Sequence, residues 1–195
     1  LNIGIKYEFK TNLSLTNNTK VDGTGLFTDG LKFRSDIPAL LSIGVGYKAL
    51  PQMRISAGLH YYFDENATIE YFAKNTTGGL DKKEKTIDGN LYELALGGEY
   101  DLTDKILISA GFLHAKTGVG QGYQTDLSHS LTSNTVGFGG AIKVSEKMQI
   151  NLGMLYTMYN SDSKSIDYTA YGVPSAQEIY NRTNIDFSIG VDYHF

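Results

Sequence analysis

The last stretch of the chain, Ile185 to Phe195, alternates without a break. Ile185, Phe187, Ile189, Val191, Tyr193 and Phe195 are apolar, and the residues between them, Asp186, Ser188, Gly190, Asp192 and His194, are small or polar. A period of two is the side-chain spacing of a β-strand, so the segment presents one apolar and one polar face. A tilted strand of about this length also crosses the hydrocarbon core of a bilayer. That pattern restricts the chain to architectures in which strands bury one face each.

The alternation recurs along the sequence. Leu1 to Phe9 places Leu1, Ile3, Ile5, Tyr7 and Phe9 on one face. Further strands are predicted at Asp36 to Tyr47, Met53 to Phe63, Leu91 to Tyr100 and Ile106 to Ala115. Two more follow, one around Val136 to Val144 and one from Met148 to Met158, before the closing strand. Connections alternate in length. Long polar stretches (Thr11 to Ser35, Asp64 to Asn90, the segment up to Thr132, and Asn160 to Thr183) take turns with short ones at Lys48 to Gln52, Asp101 to Lys105 and Ser145 to Lys147. The charged run Asp81-Lys82-Lys83-Glu84-Lys85 reads as a solvated loop, with Ile69 to Phe72 extending a strand beyond the membrane. The short turns have similar surroundings, YKALPQMRISAGL, YDLTDKILISAGF and IKVSEKMQINLGM, which is a repeated hairpin rather than a solenoid.

Alternation alone fits a soluble barrel as well as a membrane barrel, with the apolar face turned the opposite way. Three features favour lipid outside. The apolar positions of the strand centres carry no charge, whereas Lys or Arg on a lipid face costs about 2–4 kcal/mol at the midplane. The other face is too rich in glycine for a water-exposed exterior: Gly44, Gly46, Gly58, Gly97, Gly111, Gly137, Gly139, Gly153 and Gly190 lie on it. Aromatic residues collect at strand ends, Tyr47, Tyr100, Tyr193 and Phe195 at one end and Tyr7, Phe9, Tyr61, Phe63, Tyr92 and Tyr156 at the other. The expected fold is therefore all-β: a transmembrane antiparallel up-and-down β-barrel. About eight strands are visible, in a single region spanning residues 1–195. The inward glycines leave room for a plug or a ligand and suggest a wider barrel.

Composition narrows the function classes. The chain lacks cysteine, which removes disulfides and thiolate metal sites, and its formal net charge of -4 argues against a nucleic-acid surface. No apolar run approaches the roughly 18 residues of a spanning helix. The N-terminal residues read as a strand rather than a signal peptide, and the chain is expected to be a piece of a longer barrel. Four histidines are present, but His60, His114, His129 and His194 have no spacing that marks a nucleophile–base pair. Gly118-Val119-Gly120-Gln121-Gly122 has the look of a phosphate loop but lies between strands with no helix after it. No catalytic residue, metal site or cofactor is predicted.

At Asp36-Ile37-Pro38-Ala39 followed by LLSIGVGYK, at RISAGLHYYFD and LALGGEYDLTDKILISAGF, and at the ending RTNIDFSIGVDYHF, the sequence resembles the FadL-type transporters of long-chain fatty acids in the outer membrane, in particular their relatives in Bacteroidetes. The closing strand also resembles the C-terminal strand of bacterial outer-membrane barrels, in which alternating apolar residues and a terminal Phe are read by the assembly machinery. On that resemblance Phe187, Ile189, Val191, Tyr193 and Phe195 form the assembly signal. Family members have about fourteen strands and an N-terminal hatch in the lumen, so this chain would supply the C-terminal part.

The function implied by the resemblance is passive uptake of hydrophobic molecules such as long-chain fatty acids, by an integral protein of the bacterial outer membrane. Its partners would be hydrophobic small molecules (detergent in crystals), membrane lipids and the assembly machinery, and not nucleic acid. Arg54, His60, Tyr62, Glu93, Glu99 and Lys143, all on the polar faces of their strands, are the candidates for lining the lumen. Two other readings are a complete eight-stranded structural or adhesive barrel and an outer-membrane hydrolase.

Overall fold

The computed structural model describes residues 1–126, 128–167, 172 and 174–195. Parts of the two predicted loops ending at Thr132 and Thr183 therefore lie outside the described residues. Fourteen strands follow one another among those described: Asn2–Glu8 (β1), Ser14–Thr16 (β2), Lys32–Arg34 (β3), Leu40–Leu50 (β4), Met53–Tyr62 (β5), Glu70–Lys74 (β6), Leu80–Glu84 (β7), Tyr92–Asp101 (β8), Ile106–Lys116 (β9), Ser133–Lys143 (β10), Met148–Tyr159 (β11), Asp162–Ile166 (β12), Ala176–Tyr180 (β13) and Thr183–Tyr193 (β14). Eight of them form one sheet in the order β1-β4-β5-β8-β9-β10-β11-β14. Every neighbouring pair in it is antiparallel. This is the expected up-and-down arrangement, and its two edges, β1 and β14, are not paired with each other among the described residues.

The distribution of apolar residues is inverted relative to a water-soluble sheet. Buried apolar side chains among the described residues are Ala39, Ala67, Ala141 and Tyr180. The large apolar residues of the alternating face are exposed instead, Phe187 by 76% and Ile189 by 79%. A sheet that turns such a face outward needs a hydrocarbon environment to cover it. No helix is long and apolar enough to cross a membrane, a statement that has no bearing on strands.

Short connections at 51–52, 102–105 and 144–147 lie at one end of the sheet, and the long ones lie at the other. The long connections contain structure that the alternation pattern did not predict. Segment 11–35 contains the β2–β3 hairpin, 64–90 the β6–β7 hairpin, and 160–183 the β12–β13 hairpin. Asp81 to Glu84, expected in a solvated loop, lies in β7. There the charges have partners: Lys82 Nζ reaches Glu70 at 3.1 Å and stands 6.0 Å from the ring centroid of Phe72. Ile69 to Phe72 accordingly enters a separate hairpin instead of lengthening β5.

The second wall strand also begins later than its sequence pattern suggests, at Leu40 rather than Asp36. Pro38 has no N–H to give to a ladder, and Ile37 pairs with Thr11 in an isolated bridge. At the other end β4 runs on to Leu50, with a register shift between Lys48 and Leu50 that leaves Ala49 as an extra residue.

Asp36, freed from the strand, becomes the clasp of the loop end. Its side chain is fully buried and accepts hydrogen bonds from the N–H groups of Leu13 and Thr68, at 3.2 and 3.1 Å. Lys10 Nζ lies 3.1 Å away and the Arg34 guanidinium pairs with the same carboxylate. Burial by itself would raise the pKa, but the hydrogen bonds from Lys10, Thr68, Arg34 and Leu13 outweigh it and hold the group well below the usual carboxylate range.

A second fastening joins segments 86–90 and 117–122. Ile87 and Val119 form a bridge, and the Asp88 N–H donates to the Gly118 carbonyl at 2.9 Å. A Cβ on Gly118 would overlap the carbonyl of Gly89, so the backbones approach as closely as only glycine allows. The glycines of 118–122 thus serve contact between loops.

Substituting Asp36→Ala is expected to speed limited proteolysis within 11–35 and 64–74 while leaving the heat-modifiable mobility of the sheet unchanged. Because the folded pKa is depressed, the clasp contributes fully above the unfolded pKa near 4 and is lost only as pH falls through the folded value. Proteolysis of the native protein should therefore be flat from pH 8 to about pH 5. Gly118→Val is expected to cost about 1–3 kcal/mol in a denaturant titration, as overpacked positions do.

Candidate functional site

The curvature of the sheet is read from one cavity of about 900 Å³ lined by residues of all eight wall strands. Asn2, Gly46, Arg54, Gly97, Ser109, Gly137, Gly153 and Asp186 contribute from β1, β4, β5, β8, β9, β10, β11 and β14 in turn. Only a sheet curled into a trough can bring both of its edges to one cavity. The residues facing it belong to the polar set of the alternation, which is therefore the inner face.

Strand register arranges that face in rows. One runs Gly4, Gly44, Gly58, Ala95, Leu113, Thr135, Thr157, Asn184. The next, toward the short turns, runs Asn2, Gly46, Ser56, Gly97, Gly111, Gly137, Leu155, Asp186. A third continues Lys48, Arg54, Glu99, Ser109, Gly139, Gly153, Ser188. The middle of the wall is consequently almost bare of side chains. A Cβ at Gly4, Gly44 or Gly46 would meet nothing within 4 Å.

Polar groups gather above and below this belt, and the six lumen candidates divide between the two levels. Near the loop end His60 Nδ1 lies 3.1 Å from Glu93 Oε2, and the Tyr62 ring stands edge-on to His60 with centroids 6.4 Å apart. Near the short turns Arg54 Nε donates to Glu99 at 2.9 Å. Arg54 Nη1 and Nη2 donate to the two oxygens of Asp101 at 2.9 and 3.1 Å, a forked contact. Lys143 lines a second cavity of about 860 Å³ together with Arg54, Asp101 and Gln149. Sequence reasoning placed Asp101 in a turn and so missed it. Its partner could have been anticipated, because β8 continues one residue past Tyr100 and keeps the inward parity of Glu93 and Glu99.

The remaining histidines are apart from these groups. His114 Nδ1 lies 2.9 Å from Asn134 on the opposite face, and the His129 ring stacks on Tyr180 at 5.5 Å among the loops. At the loop end the Asp64 pKa is raised by burial, opposed by a hydrogen bond from the Leu91 N–H. The aromatic end group there is continuous: Phe9, Tyr7, Phe63 and Tyr61 follow one another edge-on at 5.0 to 6.1 Å. Tyr156 stands apart from it, level with Val136 and Ile185 in register. Of the five closing-strand residues singled out in the sequence, Phe187, Ile189, Val191 and Tyr193 lie on β14 and Phe195 follows it; all five are exposed, and the Tyr193 and Phe195 rings meet at 5.2 Å.

Arg54→Ala leaves Glu99 and Asp101 without their shared cation. It is expected to lower the urea midpoint of the folded protein, while the triple change Arg54→Ala with Glu99→Gln and Asp101→Asn recovers most of the loss.

No family model and no curated protein matches this sequence. Solved structures do. A FadL homologue from Pseudomonas aeruginosa superposes with a TM-score of 0.69 at 15% identity, covering 98% of this chain and 48% of that one. The toluene transporter TodX of P. putida superposes with a TM-score of 0.58 at 15% identity, covering 99% of this chain and 45% of that one. A variant described as the TodX monoaromatic hydrocarbon channel gives 0.60, also at 15% identity, with 99% and 46% covered. The chain thus spans about half the length of these proteins, and its eight-stranded antiparallel sheet has the fold of a FadL-type β-barrel wall.

Proposed function

We propose that this chain forms about half of the wall of an outer-membrane barrel that lets hydrophobic molecules pass, and that long-chain fatty acids or similarly apolar compounds are its solutes. The observation that carries this reading is the trough itself: an apolar exterior around an inner face whose middle is bare of side chains. Support comes from solved structures of the same fold whose titles name a FadL homologue and a toluene transporter. An apolar solute crosses a polar outer layer slowly, and a walled path through it removes that barrier.

The open edges β1 and β14 support a wall that continues beyond these eight strands. Unpaired backbone groups in hydrocarbon cost several kcal/mol each, so both edges need partner strands. An eight-stranded closed barrel would need β1 to pair with β14. Arg54, His60, Tyr62, Glu93, Glu99 and Lys143 are then lumen-wall residues. Phe187, Ile189, Val191, Tyr193 and Phe195 serve as the signal for the barrel-assembly machinery and afterwards contact membrane lipids.

Full-length protein reconstituted in lipid vesicles is expected to speed entry of a fluorescent apolar solute several-fold over protein-free vesicles, and equal rates would reject the proposal. Should residues 1–195 alone refold in detergent as a closed, heat-modifiable barrel, the small-barrel alternative takes its place.

A further inference from the structure

The inner wall is polar at both levels and bare between them, with one exception. On β9, β10 and β11 the inward positions read Leu113, then Gly111, Gly137 and Leu155, then Gly139 and Gly153 beside Ser109, then Leu107 and Ala141. Three leucines therefore stand at successive heights on a face otherwise given to glycine and polar groups. Leu155 leans across the empty place at Gly137, where a Cβ would lie 2.8 Å from its Cδ2. Even so it is 48% exposed, toward the 900 Å³ cavity. Leu107 and Ala141 line the 860 Å³ cavity, and Arg54 borders both. The strip is thus continuous along the strands from one cavity to the next.

The groups beside it are occupied with one another. Arg54 is held by Glu99 and Asp101, Asn151 donates to Asp192 at 2.7 Å, and the hydroxyls of Thr135 and Thr157 meet at 2.8 Å. Directly across from Leu155 in register is Asp186, an inward carboxylate that also lines the cavity. A solute carboxylate at this height would meet a like charge, with the nearby guanidinium already engaged by two acids. A neutral apolar solute meets no such opposition, and the glycines on either side of Leu155 leave space for a ring or a chain.

We infer that the strip Leu113–Leu155–Leu107 is the track by which solute contacts this wall, and that it selects neutral apolar molecules over their carboxylate counterparts. This rests on the uptake reading above and adds to it a solute class and a set of residues. Sequence alone held the signal: Leu155 occupies a polar-parity position between Gly153 and Thr157.

The test uses full-length protein in vesicles with two probes, an alkylbenzene and a fatty acid anion of equal carbon number. Leu155→Asp is expected to reduce alkylbenzene entry about tenfold, because it places a second carboxylate on an apolar path. Gly97→Leu, which fills the bare row at a place where a Cβ makes only ordinary contact at 3.6 Å, should reduce it as well. Gly44→Leu, on the same face but away from the strip, should leave it within about twofold of the wild type. Heat-modifiable mobility confirms that each variant is folded. If the wild type moves neither probe, the uptake reading fails and the track with it. If it moves the alkylbenzene while folded Leu155→Asp does so equally well, the track alone is wrong. Equal wild-type rates for the two probes would overturn the preference for neutral solutes.

Discussion

A backbone in hydrocarbon has no water to bond to, so every N–H and C=O must find a partner in the protein. The rest of this structure depends on that requirement. It forces the chain into long antiparallel ladders of ten residues or so, and it fixes the side-chain period at two. Once lipid lies on one side, the period sorts the sequence without further instruction: Phe187 and Ile189 outward, Asp186 and Ser188 inward. The same requirement makes the two open edges the least satisfied part of the sheet, because β1 and β14 each have a ladder on one side only.

Curvature follows from which residues are absent on the inner face. Side chains on the concave side of a curled sheet converge, and bulky ones would resist closing. Here the row from Asn2 to Asp186 carries glycine at four of its eight positions, Gly46, Gly97, Gly111 and Gly137. The crowding is visible where a Cβ is imagined at Gly139 or Gly153, which would lie 2.6 Å from the hydroxyl of Ser109 or Ser188. Gly44 and Gly46, by contrast, face open space. The glycines over β10 and β11 thus accommodate their neighbours, while those on β4 keep the lumen wide.

Much of this was legible in the sequence because lipid imposes a rule that reads residue by residue. The wall strands, their faces and the alternation of long and short connections all follow from period two. What was not legible obeys a different rule. In the loop hairpins no single environment lies on one side, and stability comes from particular partners: Lys82 with Glu70, Asp36 with Lys10, Arg34, Leu13 and Thr68. A charged run such as Asp81 to Lys85 looks solvated when its partner is eleven or more residues away and unknown. The delayed start of β4 has the same origin, since Asp36 belongs to the clasp and Pro38 keeps the chain out of the ladder.

For the inner wall the limit of sequence reading was different again. Parity placed Arg54, Glu93, Glu99 and Lys143 on the inner face but could not say which of them meet. Register supplies that: Arg54 stands opposite Glu99 and His60 opposite Glu93 because β5 and β8 pair as they do. A one-residue slip would turn all of these groups toward lipid, where a lone guanidinium is costly. The paired charges and the apolar exterior therefore specify the same register independently. The charges, once paired, leave the leucines of β9 and β11 as the part of this wall with unoccupied contact surface. Pairing within the wall is thus what makes an otherwise polar face compatible with an apolar solute.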